Sequence, residues 1–275
     1  MVESSPRIPD ASTLEKIAPV KPLAPYIGGK RMLAKRLIEQ ISTVPHTTYA
    51  EVFVGMGGVF FRRDRRPRCE AINDWSLDVA NFFRVVQVHL IPFLDYMRHY
   101  LTSRAEFERM LREDPATQTD IQRAARFLYL QKTGFGGKVV GKGFGIAPGN
   151  PARFDIMKLQ PMIEAAHERL SSVTIERLPW AEFIQRWDRA ETLFYLDPPY
   201  YGCEGDYGRA LFDRSEFEQI ATVLAGIKGR FILSINDHPE VRRIFAGFEM
   251  EAVQARYTIG GMDKSRLFGE LIISN

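Results

Sequence analysis

Between Thr48 and Asn236 short apolar runs alternate with helical stretches, and that alternation leaves few folds open to the chain. TYAEVFVGMGG (48–58), RCEAIND (68–74), VTIER (173–177), TLFYLD (192–197) and RFILSIN (230–236) read as buried strands. Strands buried on both sides belong to a mostly parallel sheet covered by helices on each face. The helices announce themselves by period. GGKRMLAKRLIEQIS (28–42) puts Met32, Leu33, Leu37, Ile38 and Ile41 on one stripe, and VFFRR (59–63) can open a second helix. SLDVANFFRVVQVHLIPFLDYMRHYL (76–101) keeps a helical period, with a kink or break expected at Pro92. SRAEFERMLRE (103–113), IQRAARFLYLQK (121–132) and FDIMKLQPMIEAAHERLSS (154–172) are further helices. So is DRSEFEQIATVLAGIK (213–228), which Asp213 can cap with Glu216 answering as in a capping box. FEMEAVQARYTIG (248–260) and GELIISN (269–275) read as a closing hairpin that gives the sheet an antiparallel edge.

One stretch, about 85 to 155, breaks the alternation. It is helical, then glycine-rich in GFGGKVVGKGFGIAPGNP (134–151), and from Ile121 to Arg153 it holds six Lys or Arg and no acid. This reads as a lobe inserted into the sheet domain, with a long loop of the kind that usually carries function. The net charge is only +3, so any polyanion-facing surface is local: this lobe, or RRDRRPR (62–68). A solvated charged face is the plainer alternative for each. Cys69 and Cys203 have no metal-ligand spacing and suit a reducing compartment, and the five histidines form no HExxH, so no metal site is expected. Residues 1–20 are expected to be a mobile tail, with no signal segment or membrane span, and the protein is expected in the cytoplasm.

In an open parallel sheet, ligands bind beyond the carboxyl ends of the strands. EVFVGMGG (51–58) ends there in a glycine loop that lets a ligand approach the backbone. Asp74 ends the next strand, at the spacing where an acid holds a ribose diol, although it can equally serve as a helix N-cap. Asp197-Pro198-Pro199-Tyr200 ends a third. Neither proline has an N–H, so their carbonyls stand in a rigid array, and Asp197 and the Pro198 carbonyl can both accept from one –NH2 group. Tyr200 can lay its ring on a planar base. A rigid turn before a loop is the plainer reading.

These segments, in this order, resemble the Dam-type (D12 class) DNA adenine-N6 methyltransferases. PYIGGKRMLAKRLIEQI (25–41) resembles the family's opening segment, EVFVGMGGVFF (51–61) its cofactor loop and INDWSLDVANFFRVV (72–86) its ribose-acid segment. YLQKTGFGGKVVGKGFGIAPGN (129–150) resembles the stretch after the recognition helices, DPPYY (197–201) the catalytic motif and GELIISN the closing strand. The chain departs from the family pattern at Pro179-Trp180, where an acid and Phe are usual. It departs also at Ser76, where Asn is common, and at Gln131-Lys132, where Asn-Arg is usual.

The resemblance implies a Rossmann-like S-adenosylmethionine-dependent methyltransferase sheet with an antiparallel C-terminal strand. Residues 21–84 and 156–275 would form the catalytic domain, and 85–155 an inserted helical target-recognition lobe. It implies cofactor contacts at Tyr26, Lys30, Phe53, Gly55, Gly57, Asp74 and Asp197, and a catalytic motif of Asp197, Pro198, Pro199 and Tyr200. The acceptor would be adenine N6 in double-stranded DNA, its two protons held by Asp197 and the Pro198 carbonyl. The target base would be flipped out of the duplex. Arg123, Arg126, Lys132, Lys138 and Lys142 are the candidates for DNA phosphates. Sequence reading would fall to the lobe and the EGDYGR loop (204–209). A cognate restriction endonuclease is left open as a partner, and a monomer is the default. Three alternatives stand beside this reading. One is methyl transfer to another planar amine, such as cytosine N4, RNA adenine or a protein glutamine. The others are a nucleotide-dependent oxidoreductase, which leaves DPPY unexplained, and a DNA-binding module that has lost catalysis.

Overall fold

A computed structural model describes residues 14–26, 28, 30, 32–146, 149–203, 212–258 and 265–275, the stretches 255–258 and 265–268 by backbone alone. Most of the expected tail and the EGDYGR loop lie outside the described residues.

The chain opens with β1 (Glu15–Lys16), α1 (Ala34–Thr43), β2 (Thr48–Glu51), β3 (Arg65–Arg66) and β4 (Cys69–Asn73). A helical run follows: α2 (Leu77–Val88), α3 (Leu90–Met97), α4 (Arg104–Arg112), α5 (Asp120–Thr133) and α6 (Ile156–Leu170). Alternation then resumes with β5 (Thr174–Glu176), α7 (Trp180–Trp187), β6 (Thr192–Leu196), α8 (Glu216–Ala225), β7 (Arg230–Asn236) and α9 (Pro239–Ile244). The hairpin β8 (Glu249–Thr258) and β9 (Ser265–Ser274) closes the chain.

Seven strands form one sheet in the order β5-β4-β2-β6-β7-β9-β8. The five strands from β5 to β7 are parallel, and β9 runs antiparallel to both its neighbours. The hairpin differs from the simplest expectation: its second strand inserts beside β7, and its first becomes the edge. Successive side chains of a strand point to opposite faces, and both faces here are dry. Leu193, Tyr195 and Ile232 enter one apolar cluster, with residues of α1, α2, α5 and α6. Phe194, Leu196, Phe231 and Leu233 enter the other, with residues of α7, α8 and α9. That two-sided burial is why β6 is buried along its whole length and reads as an unbroken apolar run.

The run 76–101 does break, but not at Pro92. α2 and α3 turn by 109° at His89, and Pro92 sits in the first turn of α3, where its missing N–H costs no helical hydrogen bond. VFFRR makes only a three-residue 3₁₀ turn over Phe60–Arg62. Within the expected tail, residues 14–20 are pinned: Glu15 and Lys16 pair with Arg66 and Arg65, and the Val20 amide donates to the Phe61 carbonyl at 2.7 Å. RRDRRPR is also partly structural. Arg63 is buried and pairs with Glu70 at 2.7 Å, and Glu70 in turn takes both guanidinium nitrogens of Arg169. No single helix among the described residues is long and apolar enough to cross a membrane.

Candidate active site

From β2 the sheet grows outward through β4 to β5, and the chain then returns to place β6 on the other side of β2. Beyond the carboxyl ends of β2 and β6, where the order reverses, such sheets open a crevice. Here that crevice is a cleft of about 870 Å³, lined by the ends of β2, β4 and β6 together with Tyr26, Lys30 and Trp180. The volume falls within the usual range for small-molecule sites. Glu51 lies opposite Tyr195 in the register, so the glycine loop and the DPPY segment leave the sheet side by side.

At one end of the cleft, Asp74 organises the glycine loop. Its two carboxylate oxygens accept from the Gly55 and Ser76 amides, both at 2.9 Å. Asp74 therefore lines the cleft and also ties down the chain before α2. Burial pushes its carboxyl up to about 6, against the pull of those two amides. Gly55 has φ +51°, and a Cβ built there would stand 3.0 Å from the Tyr26 ring. Gly57 also has positive φ, but it accommodates Phe61 and does not line the cleft. Phe53, Trp75 and Trp180 supply flat apolar walls. The acid, the bare backbone and the aromatic walls fit a nucleoside-bearing ligand.

At the other end Asp197 follows β6. Its Oδ1 accepts from Lys30 Nζ at 3.0 Å and from Ser234 Oγ at 3.3 Å, while Oδ2 takes no hydrogen bond among the described residues. Burial raises the Asp197 carboxyl to about 6, with Lys30 opposing and Glu270 adding to the rise. Pro198 is buried and Pro199 lines the cleft. Tyr200 is anchored from behind: Lys30 Nζ donates to its hydroxyl at 2.9 Å, and that hydroxyl donates to Glu270. The next residue is held as firmly, since Asn236 accepts from the Tyr201 amide at 2.8 Å and donates to its carbonyl at 3.1 Å.

Lys30 is thus placed at the DPPY segment as well as along the cleft, although the resemblance implies it only as a cofactor contact. Glu51 and Glu270 are site residues that pattern reading did not single out. Glu51 is buried at the cleft, accepts from the Tyr49 hydroxyl at 2.6 Å, and has its carboxyl pushed by burial up to about 8. A signal for Glu270 was present: a charge inside the apolar run GELIISN.

Of the five candidate phosphate contacts, Arg123, Arg126 and Lys142 gather around Asp78. Lys138 is exposed. Arg123 pairs with Asp78 at 2.6 Å, and Arg126 donates to the Met110 carbonyl at 2.7 Å. Lys132 lines the cleft, with burial lowering its ammonium. Lys142 donates to Gln131 and lies near the Phe127 ring, where burial lowers it to about 8. Gln131 itself is buried and donates to the Pro25 and Gly137 carbonyls at 3.0 and 3.2 Å. It clamps the glycine-rich loop onto the segment that carries Tyr26.

A mostly parallel seven-stranded sheet with an antiparallel β9 and a cleft at its switch point is a Rossmann-like methyltransferase fold. More narrowly, the chain belongs to the D12 class N6 adenine-specific DNA methyltransferase family, whose sequence profile matches residues 26–259. It is similar to the type II methyltransferase M.CviBI of Paramecium bursaria Chlorella virus NC1A, with 21% identity over 243 residues, 86% of this chain and 91% of that protein. Among solved structures it is similar to a precorrin 8w decarboxylase of Methanobacterium thermoautotrophicum. That likeness has 12% identity and a TM-score of 0.43, over 94% of this chain and 100% of the other, and carries no weight for function. Family membership makes the chain an adenine-specific DNA methyltransferase that needs a methyl donor, and removes the oxidoreductase alternative.

Proposed function

We propose that the chain takes its methyl group from S-adenosylmethionine and places it on N6 of an adenine flipped out of duplex DNA at a specific site. The observation that carries this reading is the single cleft joining the Asp74–Gly55 end to the Asp197–Pro199 end. Asp74, the Gly55 backbone, Phe53 and Trp180 would hold the cofactor, which supplies an activated methyl on a sulfonium. Asp74 retains acceptor capacity beyond its two backbone bonds, since a carboxylate has about four lone-pair sites.

Adenine N6 is a weak nucleophile because its lone pair is delocalised into the ring. Asp197 addresses this. With Oδ1 held by Lys30 and Ser234, Oδ2 is left to accept an N6 proton, and the Pro198 carbonyl would accept the other. Both bonds favour a pyramidal nitrogen with its lone pair available. The contribution of the protein is positioning and electrostatic complementarity, with no covalent enzyme intermediate. A base within a duplex cannot reach a cleft of this kind, so flipping is required. Lys138 on the exposed glycine-rich loop, with Arg123, Arg126, Lys132 and Lys142, is proposed to meet phosphates. Residues 85–155 are proposed as the target-recognition lobe, grouped around α3, α4 and α5. Resemblance to a type II methyltransferase supports a role in restriction–modification beside a cognate endonuclease.

The test is saturable binding of S-adenosylmethionine by calorimetry, followed by transfer of label to duplex oligonucleotides of varied sequence. Binding with label confined to duplexes sharing one short motif is the expected result. Equal labelling of every adenine, or of single strands only, would refute site-specific action on duplex DNA.

A further inference from the structure

Glu270 on β9 is completely buried, yet it lies in a strand whose next three residues are apolar core. Burying a carboxylate is costly unless it is paired, and this one is doubly used. Its Oε2 accepts from Lys30 Nζ at 3.2 Å, and its Oε1 accepts from the Tyr200 hydroxyl. Lys30 has three ammonium hydrogens, and three acceptors stand around it: Asp197 Oδ1, Glu270 Oε2 and the Tyr200 hydroxyl. Its ammonium also lies 4.2 Å from the centre of the Tyr200 ring.

We infer that Glu270 is a positioning residue for methyl transfer, sharing Lys30 with Asp197 so that the ammonium holds Oδ1 and leaves Oδ2 to the adenine amine. The inference rests on the proposed role of Asp197. Without the second anion, Lys30 would pair with Asp197 alone and compete with N6 for its oxygens. Tyr200 would lose the acceptor that fixes its hydroxyl. Among the described residues, the titratable groups around Asp197 are Lys30 from the opening segment, Glu51 and Tyr195 from β2 and β6, Tyr200 from its own turn, and Glu270. Of these, Glu270 is the carboxylate that bridges Lys30 to Tyr200.

The experiment compares wild type with Glu270→Gln, which keeps the size and one acceptor oxygen but removes the charge and turns the other oxygen into a donor. Methyl transfer to duplex DNA is followed from pH 5 to 8.5, with cofactor affinity measured alongside. The expected result is a fall in kcat of about ten- to a hundredfold, the size of a lost hydrogen bond to a charged group, with cofactor affinity little changed. Because the Glu270 charge raises the Asp197 carboxyl, the acid limb of the profile should also move to lower pH. A wild-type rate and profile in the variant would overturn the inference. So would an equal loss at every pH with the limb unmoved, which is what a purely structural role gives. If Glu270→Gln does not fold, Tyr200→Phe removes the hydroxyl that donates to Glu270 and accepts from Lys30, and a wild-type rate there would overturn the anchoring of Tyr200. Wild-type protein that puts no methyl on adenine would instead defeat the underlying reading of Asp197.

Discussion

Glu51 offers a stability test whose size follows from its surroundings. It is buried at the end of β2, with the Tyr49 hydroxyl as donor and Asp197 and Glu70 as nearby acids, and its carboxyl is pushed from 4.5 up to about 8. In the unfolded chain the same carboxyl ionises near its ordinary value. Between the two the folded protein binds the extra proton, so stability is fully present below about 4.5 and is lost as pH rises through about 8. At about 1.4 kcal/mol per pH unit the whole interval is worth roughly 5 kcal/mol. Glu51→Gln keeps an acceptor for Tyr49 but has no proton to lose. Urea unfolding of both proteins at intervals from pH 5 to 9 should therefore give a stability difference that grows in favour of the variant up to about pH 8 and then levels off. Parallel curves across that range would show that Glu51 is ionised in the folded protein, and would refute the reasoning.

Further outcomes follow from the same geometry. Glu70→Gln leaves Arg63 and Arg169 buried without their shared anion. Denaturant unfolding should show a loss of about 3–5 kcal/mol, and an unchanged midpoint would contradict it. Gly55→Ala forces a side chain into positive φ against the Tyr26 ring. Strain of about 1–3 kcal/mol should weaken cofactor binding by calorimetry, and wild-type affinity would count against the loop's role. In the role proposed for it, Asp197 must be ionised to accept from N6, and burial raises its carboxyl to about 6. Methyl transfer should therefore fall as pH drops through 6, to about a tenth of its plateau one unit below the pKa; a flat profile from pH 5 to 8 would contradict this.

Much of the sheet could be read from the chain because burial on both faces leaves a continuous apolar signature, as in TLFYL and FILSI. The two ends of the cleft were legible because their residues do what few structural positions need: Gly55 opens the backbone, and two prolines stiffen the turn after Asp197. Partners were harder to read. Composition counts Arg63 and Arg123 as basic surface, but Glu70 and Asp78 lie close to them only after folding. Pro92 looked like a break because sequence alone does not say where a helix begins, and a proline in a first turn is harmless. α7 and α9 escaped notice because eight and six residues hold too little periodicity to detect. Glu270 was hidden for a different reason: Lys30 and Tyr200, to which it is bonded, stand 240 and 70 residues away.

The most direct test of the account is the fate of a labelled methyl group. Purified protein is incubated with labelled S-adenosylmethionine and mixed-sequence duplex DNA, beside the variant Asp197→Ala, and the DNA is digested to nucleosides for chromatography. The account predicts label in N6-methyladenine from the wild type and none from the variant. Label in another nucleoside, or equal labelling by Asp197→Ala, would contradict it.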